Sequence, residues 1–150
     1  MDHHGEANDH LSQFSARDPF ARALGIRYVD AGLGRARVAL DVGDAHLNFN
    51  GNCHGGAIFA LADTAFGLAS NSHGVIAVGI DAHITYHVAA GRGDTLTATA
   101  TEISRSRRIA VYRIDVTRGD GTLIAGFTGT VYITTRPTDL GPAQPEPSPA

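Results

Sequence analysis

The segment His54–Gly74, HGGAIFALADTAFGLASNSHG, reads as a helix that is apolar on nearly every side. Such a helix has no broad face to offer water, so the rest of the chain or a second chain must enclose it. Ile58, Leu61, Ala62, Ala65, Leu68 and Ala69 keep the i, i+3, i+4 spacing of a core stripe. Phe59, Ala60, Asp63, Phe66, Gly67 and Ser70 fall largely on the other side. That second side is nearly as apolar, yet it holds a carboxylate, Asp63, with no basic residue between Ala57 and Ser70 to pair with it.

Around this helix the hydrophobic period is two, the period of strands. IRYVDAGLGRARVALDV reads as a hairpin turning at Gly32 and Gly34, and a strand from Ile76 to Val88 follows the helix. DTLTATATEI comes next, with Leu96, Ala98 and Ala100 on one face and threonines on the other. RRIAVYRIDVTR and TLIAGFTGTVYITT complete the set across the turn GDG. DPFARALG, ahead of all these, reads as a short helix with Asp18 at the N-cap, Pro19 in the first turn and Gly25 as terminator. The fold class is α+β: an antiparallel sheet wrapped around one long helix. Residues 15–136 make the domain. The polar segment 1–14 and the proline-rich segment 137–150 lack the apolar surface to offset ordering entropy and are expected to be disordered. His3, His4 and His10 read as part of that polar start rather than as a metal site.

Composition excludes several chemistries. All 12 basic residues are arginine, so no lysine is present to form a Schiff base. No P-loop pattern occurs, and a net charge of −3 argues against nucleic acid as partner. No apolar run approaches the ~20 residues of a membrane span, and no secretory leader pattern is present. Cys53 stands alone, which fits a reducing compartment. The expectation is a cytoplasmic protein with neither metal nor cofactor.

An unpaired carboxylate in an apolar helix costs several kcal/mol to bury, on the order of 3–5 kcal/mol, so Asp63 points to chemistry rather than packing. Two turns into the helix, it is too far in to cap it. His54-Gly55-Gly56 opens the same helix, and the unsatisfied amides of a helix start, next to glycines that allow close approach, are what an oxyanion hole needs, although glycines at such a junction also serve conformation alone. Gly55 and Asp63 lie about 12 Å apart along the axis. Groups acting on one carbonyl must stand within about 3–4 Å of the reacting atoms. Two antiparallel copies of the helix, related by a two-fold axis, satisfy that requirement, with Gly55 of one chain facing Asp63 of the other.

NFNGNCHGGAIFALADTAFGLASNSHG resembles the signature of the hotdog-fold acyl-CoA thioesterases of the phenylacetic acid degradation (PaaI) family. The likeness is strongest from Asn48 to Gly74 and continues through GDTLTATA and RRIAVYRIDV to about Thr135. The resemblance implies homodimers that often pair into homotetramers, and an aryl-acetyl or related acyl-CoA substrate. It makes Asp63 the catalytic carboxylate, as base or nucleophile, and Gly55 N–H the oxyanion donor. Asn48 would position the thioester carbonyl or the water, and His54 would organise the turn. Gly56 and Thr64 join the substrate-binding set. Phe59 and Phe66 either line an acyl slot or pack in the core. In SRSRR, Arg105, Arg107 and Arg108 either hold the coenzyme A phosphates or form a solvated turn. Asp81 and His83 depart from the family pattern, which has small or hydroxyl residues early in that strand, as does Val88-Ala89 where the family has Arg-Pro.

Three alternatives compete. Cys53, at a helix start beside His54, has the position of an activated thiolate, but a cysteine mechanism leaves Asp63 unexplained. An acyl-CoA hydratase or dehydratase would use His54 and Asp63 of opposing chains as an acid–base pair. A non-catalytic acyl-CoA-binding module would have no use for Asp63.

Overall fold

Alternating apolar residues place one face of most of the strands against the long helix. The computed structural model describes residues 4–143, 145, 148 and 149, with side chains from residue 10 onward. Its strands are β1 (Arg27–Gly32), β2 (Arg35–Asp41), β3 (Val75–Tyr86), β4 (Thr95–Arg105), β5 (Ile109–Arg118) and β6 (Leu123–Pro137). They form one antiparallel sheet in the order β1-β2-β4-β5-β6-β3. Helices α1 (His4–Ala16) and α2 (Pro19–Leu24) precede the sheet, and α3 (Gly55–Ser70) lies across it. This is the expected α+β arrangement. Val38, Ala98 and Val116 stand side by side on β2, β4 and β5, all fully buried. The threonines alternating with them on β4 lie on the other face.

The core stripe of α3 is buried throughout: Leu61, Ala62, Ala65 and Ala69 are 0% exposed. The alanines let the helix settle close to the sheet, while Leu61 and Leu68 contribute about 1.5–3 kcal/mol each by burial. At the C-terminal end Asn71 acts as a clasp. Its Nδ2 donates to Gly67 O at 2.8 Å and to Ala77 O at 3.2 Å, and its Oδ1 accepts Ala77 N–H at 3.0 Å. One side chain thus ends the helix and starts β3.

Phe66 packs in this core, one of the two places that its position in the sequence left open. It is 3% exposed, and its ring lies 5.8 Å from that of Tyr112 and 5.7 Å from that of Phe127. The reason is a hole left in the sheet. A Cβ at Gly129 would lie 2.7 Å from the Phe66 ring and one at Gly79 would lie 3.2 Å from it, so two adjacent strands give up their side chains to admit it.

The ends of the chain are more structured than expected. Within the segment 1–14, expected to be disordered, α1 begins at His4; Leu11 is buried and Phe14 packs against the core. These two apolar residues, one turn apart, find a surface that composition alone did not reveal. His3 lies outside the described residues. At the other end, Thr138 N–H donates to Gly74 O at 2.8 Å, Ala143 N–H donates to Ser72 O at 2.6 Å, and Ala143 is buried. Arg17 pairs with Asp139 at 2.7 Å, and a ring nitrogen of His10 lies 2.6 Å from Leu140 O. The first part of the segment 137–150 is therefore docked, and its residues 144, 146, 147 and 150 lie outside the described residues. The short helix α2 is capped as the sequence implies: Asp18 Oδ1 accepts Ala21 N–H at 2.9 Å, and Gly25 ends it at φ 80°.

Candidate active site

The loop before α3 is shaped by Asn48. Its Oδ1 accepts the N–H groups of Asn50 at 2.9 Å and Asn52 at 3.1 Å, while its own N–H donates to Asn52 O at 2.8 Å. The side-chain oxygen is therefore committed to the turn. Its Nδ2 donates to nothing among the described residues and is the atom available to a ligand.

The helix start has one free amide. Gly56 N–H donates to His54 Nδ1 at 2.8 Å, and the N–H groups of Ala57 and Ile58 both go to His54 O. Gly55 N–H has no acceptor among the described residues. His54 is thus the N-cap of α3, and because Nδ1 accepts, the neutral ring carries its proton on Nε2. That geometry leaves Nε2–H as the ring group able to donate, and it commits the Gly56 N–H to the helix cap. The sequence reading missed Tyr86. Its hydroxyl donates to Gly55 O at 2.9 Å, and a Cβ at Gly55 would stand 3.2 Å from its ring. Glycine at this position follows from the tyrosine as much as from any ligand. Only a residue 31 positions away in sequence supplies that reason.

Asp63 projects from the open side of α3 and is exposed on the single chain. It forms part of a cleft of about 500 Å³ bounded by Phe14 and Phe20 on one side and by Ala60, Thr64 and Gly67 on the other. Its carboxyl is held above the ordinary carboxylate range, first by desolvation against the helix and then by the charge of Asp18. A raised carboxylate is a stronger base when ionised. Thr64 lines the cleft, but its hydroxyl donates back to Ala60 O at 2.7 Å. Phe59 is half-buried and packs edge-on against Phe127 at 5.3 Å between ring centres, a core contact. Arg107 is exposed and Arg108 half-buried in the β4–β5 turn. That turn lies beyond Glu102, whose Oε2 lies 2.6 Å from Nε2 of His73, at the end of α3 away from Gly55.

The structure therefore gathers Asn48, His54, Gly55 and Gly56 at one end of the helix with Tyr86. It leaves Asp63 and Thr64 two turns along and the arginines at the far end. Cys53 is buried, and its thiol is pushed up by desolvation and by Asp94, so the thiolate route loses its basis. Asp81 and His83 are both exposed on β3. Among the described residues no group of three or more His, Cys, Asp or Glu side chains is placed to hold a metal ion.

Residues 50–125 match the family model described as Thioesterase superfamily, a span that includes α3 and β3 to β5. The chain belongs to the thioesterase superfamily. It is 37% identical over 129 residues to the acyl-coenzyme A thioesterase PaaI of Escherichia coli, covering 86% of this chain and 91% of that one. The solved structure of the E. coli PaaI protein superposes with a TM-score of 0.83 at 33% identity, over 88% of this thioesterase and 99% of the other. A mutant of the phenylacetic acid degradation protein PaaI from Thermus thermophilus superposes with a TM-score of 0.74 at 44% identity, over 77% and 98% of the two chains. A Streptococcus mutans protein solved with acetyl CoA gives 0.72 at 32% identity, over 75% and 91%. The sheet curled round α3 is thus a hotdog fold, and the protein is a thioesterase.

Proposed function

We propose that this thioesterase hydrolyses acyl-CoA, with aryl-acetyl-CoA as the substrate class, in a site shared between two chains. The observation that carries this reading is a separation. The free Gly55 amide and the open Asp63 carboxylate lie on one helix about 12 Å apart, so one chain does not bring both to the same carbonyl. A second observation supports pairing. β3 is an edge strand, and it exposes Val78 (45%), Ile80 (58%) and Tyr86 (49%). Long apolar edges of this kind are seldom left to water.

In the paired arrangement Gly55 N–H of one chain polarises the thioester carbonyl, and Asp63 of the other activates water or attacks directly. The tetrahedral oxygen gains negative charge, and the amide is worth most at that point, about 3–4 kcal/mol. Water adds to the carbonyl carbon, the C–S bond breaks, and free acid and the CoA thiol leave. Asn48 Nδ2 and His54 Nε2–H are the remaining donors near the carbonyl. Antiparallel helices would carry Arg107 and Arg108 toward the partner's Gly55, which suits a role with the CoA phosphates. The likeness to PaaI proteins extends the reading to a homotetramer acting in the cytoplasm in phenylacetic acid degradation. Because His54 Nδ1 is spent as a helix cap, the His54–Asp63 acid–base pair of a hydratase is disfavoured.

The test is release of free thiol from phenylacetyl-CoA by wild type and by Asp63→Asn. Loss of about a hundred-fold or more in kcat is expected when the acting carboxylate is removed. A variant within a few-fold of wild type would refute the mechanism.

A further inference from the structure

The cleft beside Asp63 has a floor that nothing in the chain explains. Gly67 lies one turn beyond Asp63 on the same side of α3, and a Cβ placed there would meet no atom within 4 Å. Its backbone is ordinary helix, with no positive φ to demand glycine. A glycine in a helix interior is less stable than alanine, so neither helix formation nor packing within the chain accounts for it. What the glycine does provide is depth in the cleft.

The opposite wall comes from the α1–α2 corner. Phe14 packs against the core, while Phe20 is 66% exposed at the same cleft. An exposed phenylalanine facing an open floor is suited to an apolar or aryl group. Asp18 stands at this cleft as well, committed by one oxygen to Ala21 N–H, and its charge is felt at Asp63. Arg17, the cation beside it, is engaged with Asp139. The cleft therefore combines a negative mouth, apolar walls and a missing side chain, directly beside the carboxylate. Its volume of about 500 Å³ lies within the range of small-ligand sites.

We propose that the cleft between the α1–α2 corner and α3 receives the acyl group, that Gly67 sets its depth, and that Asp18 turns away acyl groups ending in a carboxylate. This rests on the acyl-CoA reading above and adds to it which acyl groups are taken: uncharged ones, up to a size fixed by residue 67. The N-terminal helices, which carry no part of the helix–loop signature, become the specificity element of the enzyme.

Thiol release by the full chain is measured with acetyl-, butyryl-, phenylacetyl- and succinyl-CoA. In Gly67→Leu the ratio of kcat/KM for phenylacetyl-CoA to that for acetyl-CoA falls about ten-fold or more, the size of effect that filling an acyl pocket by a few carbons produces. Gly67→Ala moves the ratio the same way by less, with a melting temperature no lower than wild type, which separates filling from misfolding. Asp18→Asn keeps the helix cap and raises the ratio of succinyl-CoA to butyryl-CoA by about ten-fold, since a like charge at the mouth is gone. Ratios in Gly67→Leu within about two-fold of wild type overturn the proposal, pocket effects of this kind being larger. So does a parallel loss on all four substrates with a change in oligomeric mass, which would place a second copy of α3 against Gly67. A wild type that cleaves none of the four thioesters is a different result, and it refutes the underlying acyl-CoA reading instead.

Discussion

Two inactive variants should restore activity when mixed, if the site is shared between chains. Asp63→Asn removes the carboxylate. Gly55→Pro removes the free amide with little cost to the helix, because Gly55 is the first residue of α3 and proline is accepted there. The residue before a proline must be extended, and His54 already is, at φ −61° and ψ 134°. Gly55→Ala serves as the control: it brings the same Cβ 3.2 Å from the Tyr86 ring but keeps the N–H. Loss of one oxyanion donor lowers kcat by about 10²–10³, so each variant alone retains about 1% or less. After denaturation together at equal amounts and refolding, half the dimers are mixed. Each mixed dimer pairs one intact Asp63 with one intact Gly55, so one of its two sites works, and about a quarter of wild-type activity returns. A site built within one chain would return none of it. The assay is thiol release from phenylacetyl-CoA before and after mixing, with oligomeric mass measured alongside. Recovery no greater than the sum of the two variants would refute the shared site, and a Gly55→Ala variant as inactive as Gly55→Pro would refute the Gly55 amide as the oxyanion donor.

The raised Asp63 carboxyl makes a prediction about stability. Its ionised form is disfavoured in the folded chain, so the native state is penalised at pH values above the carboxylate range and the penalty fades as pH falls and the group protonates. Asp63→Asn should therefore melt at a higher temperature than wild type at pH 7, and the gain should shrink on acidification; a lower melting temperature at pH 7 contradicts this. For activity, Asp18→Asn should move the acid limb of kcat/KM to lower pH, because one of the two causes of the shift is removed. In the core, Gly129→Ala should cost about 1–3 kcal/mol by overpacking against Phe66, and Phe66→Leu made alongside it should recover part of that loss. Strictly additive costs in chemical denaturation would show that the ring and the glycine do not interact.

Much of this protein was legible before folding. Period-two runs and the turns between them located the strands to within a few residues, because a sheet with one covered face forces alternation. The hairpin of β1 and β2, the caps of α2, and the start of α3 at His54-Gly55 followed from local chemistry: a side-chain acceptor before a helix, glycine where φ turns positive. Asp63 stood out because a carboxylate in an apolar helix needs an explanation, and that argument needs no coordinates.

What the sequence did not decide were relations between distant residues. Phe66 could be placed on a helix face by spacing, but only Gly79 and Gly129 on two adjacent strands show that the face is cored out to receive it. Tyr86 gave no signal, since its role is a single hydrogen bond to Gly55 across the fold. The terminal segments look too polar to order when their composition is averaged. Leu11, Phe14 and Ala143 are nevertheless docked, because burial depends on which few residues meet a surface and not on the mean. Local pattern set the elements and named the acid. Three-dimensional packing set what surrounds it, because contact energies depend on distances that sequence separation does not encode.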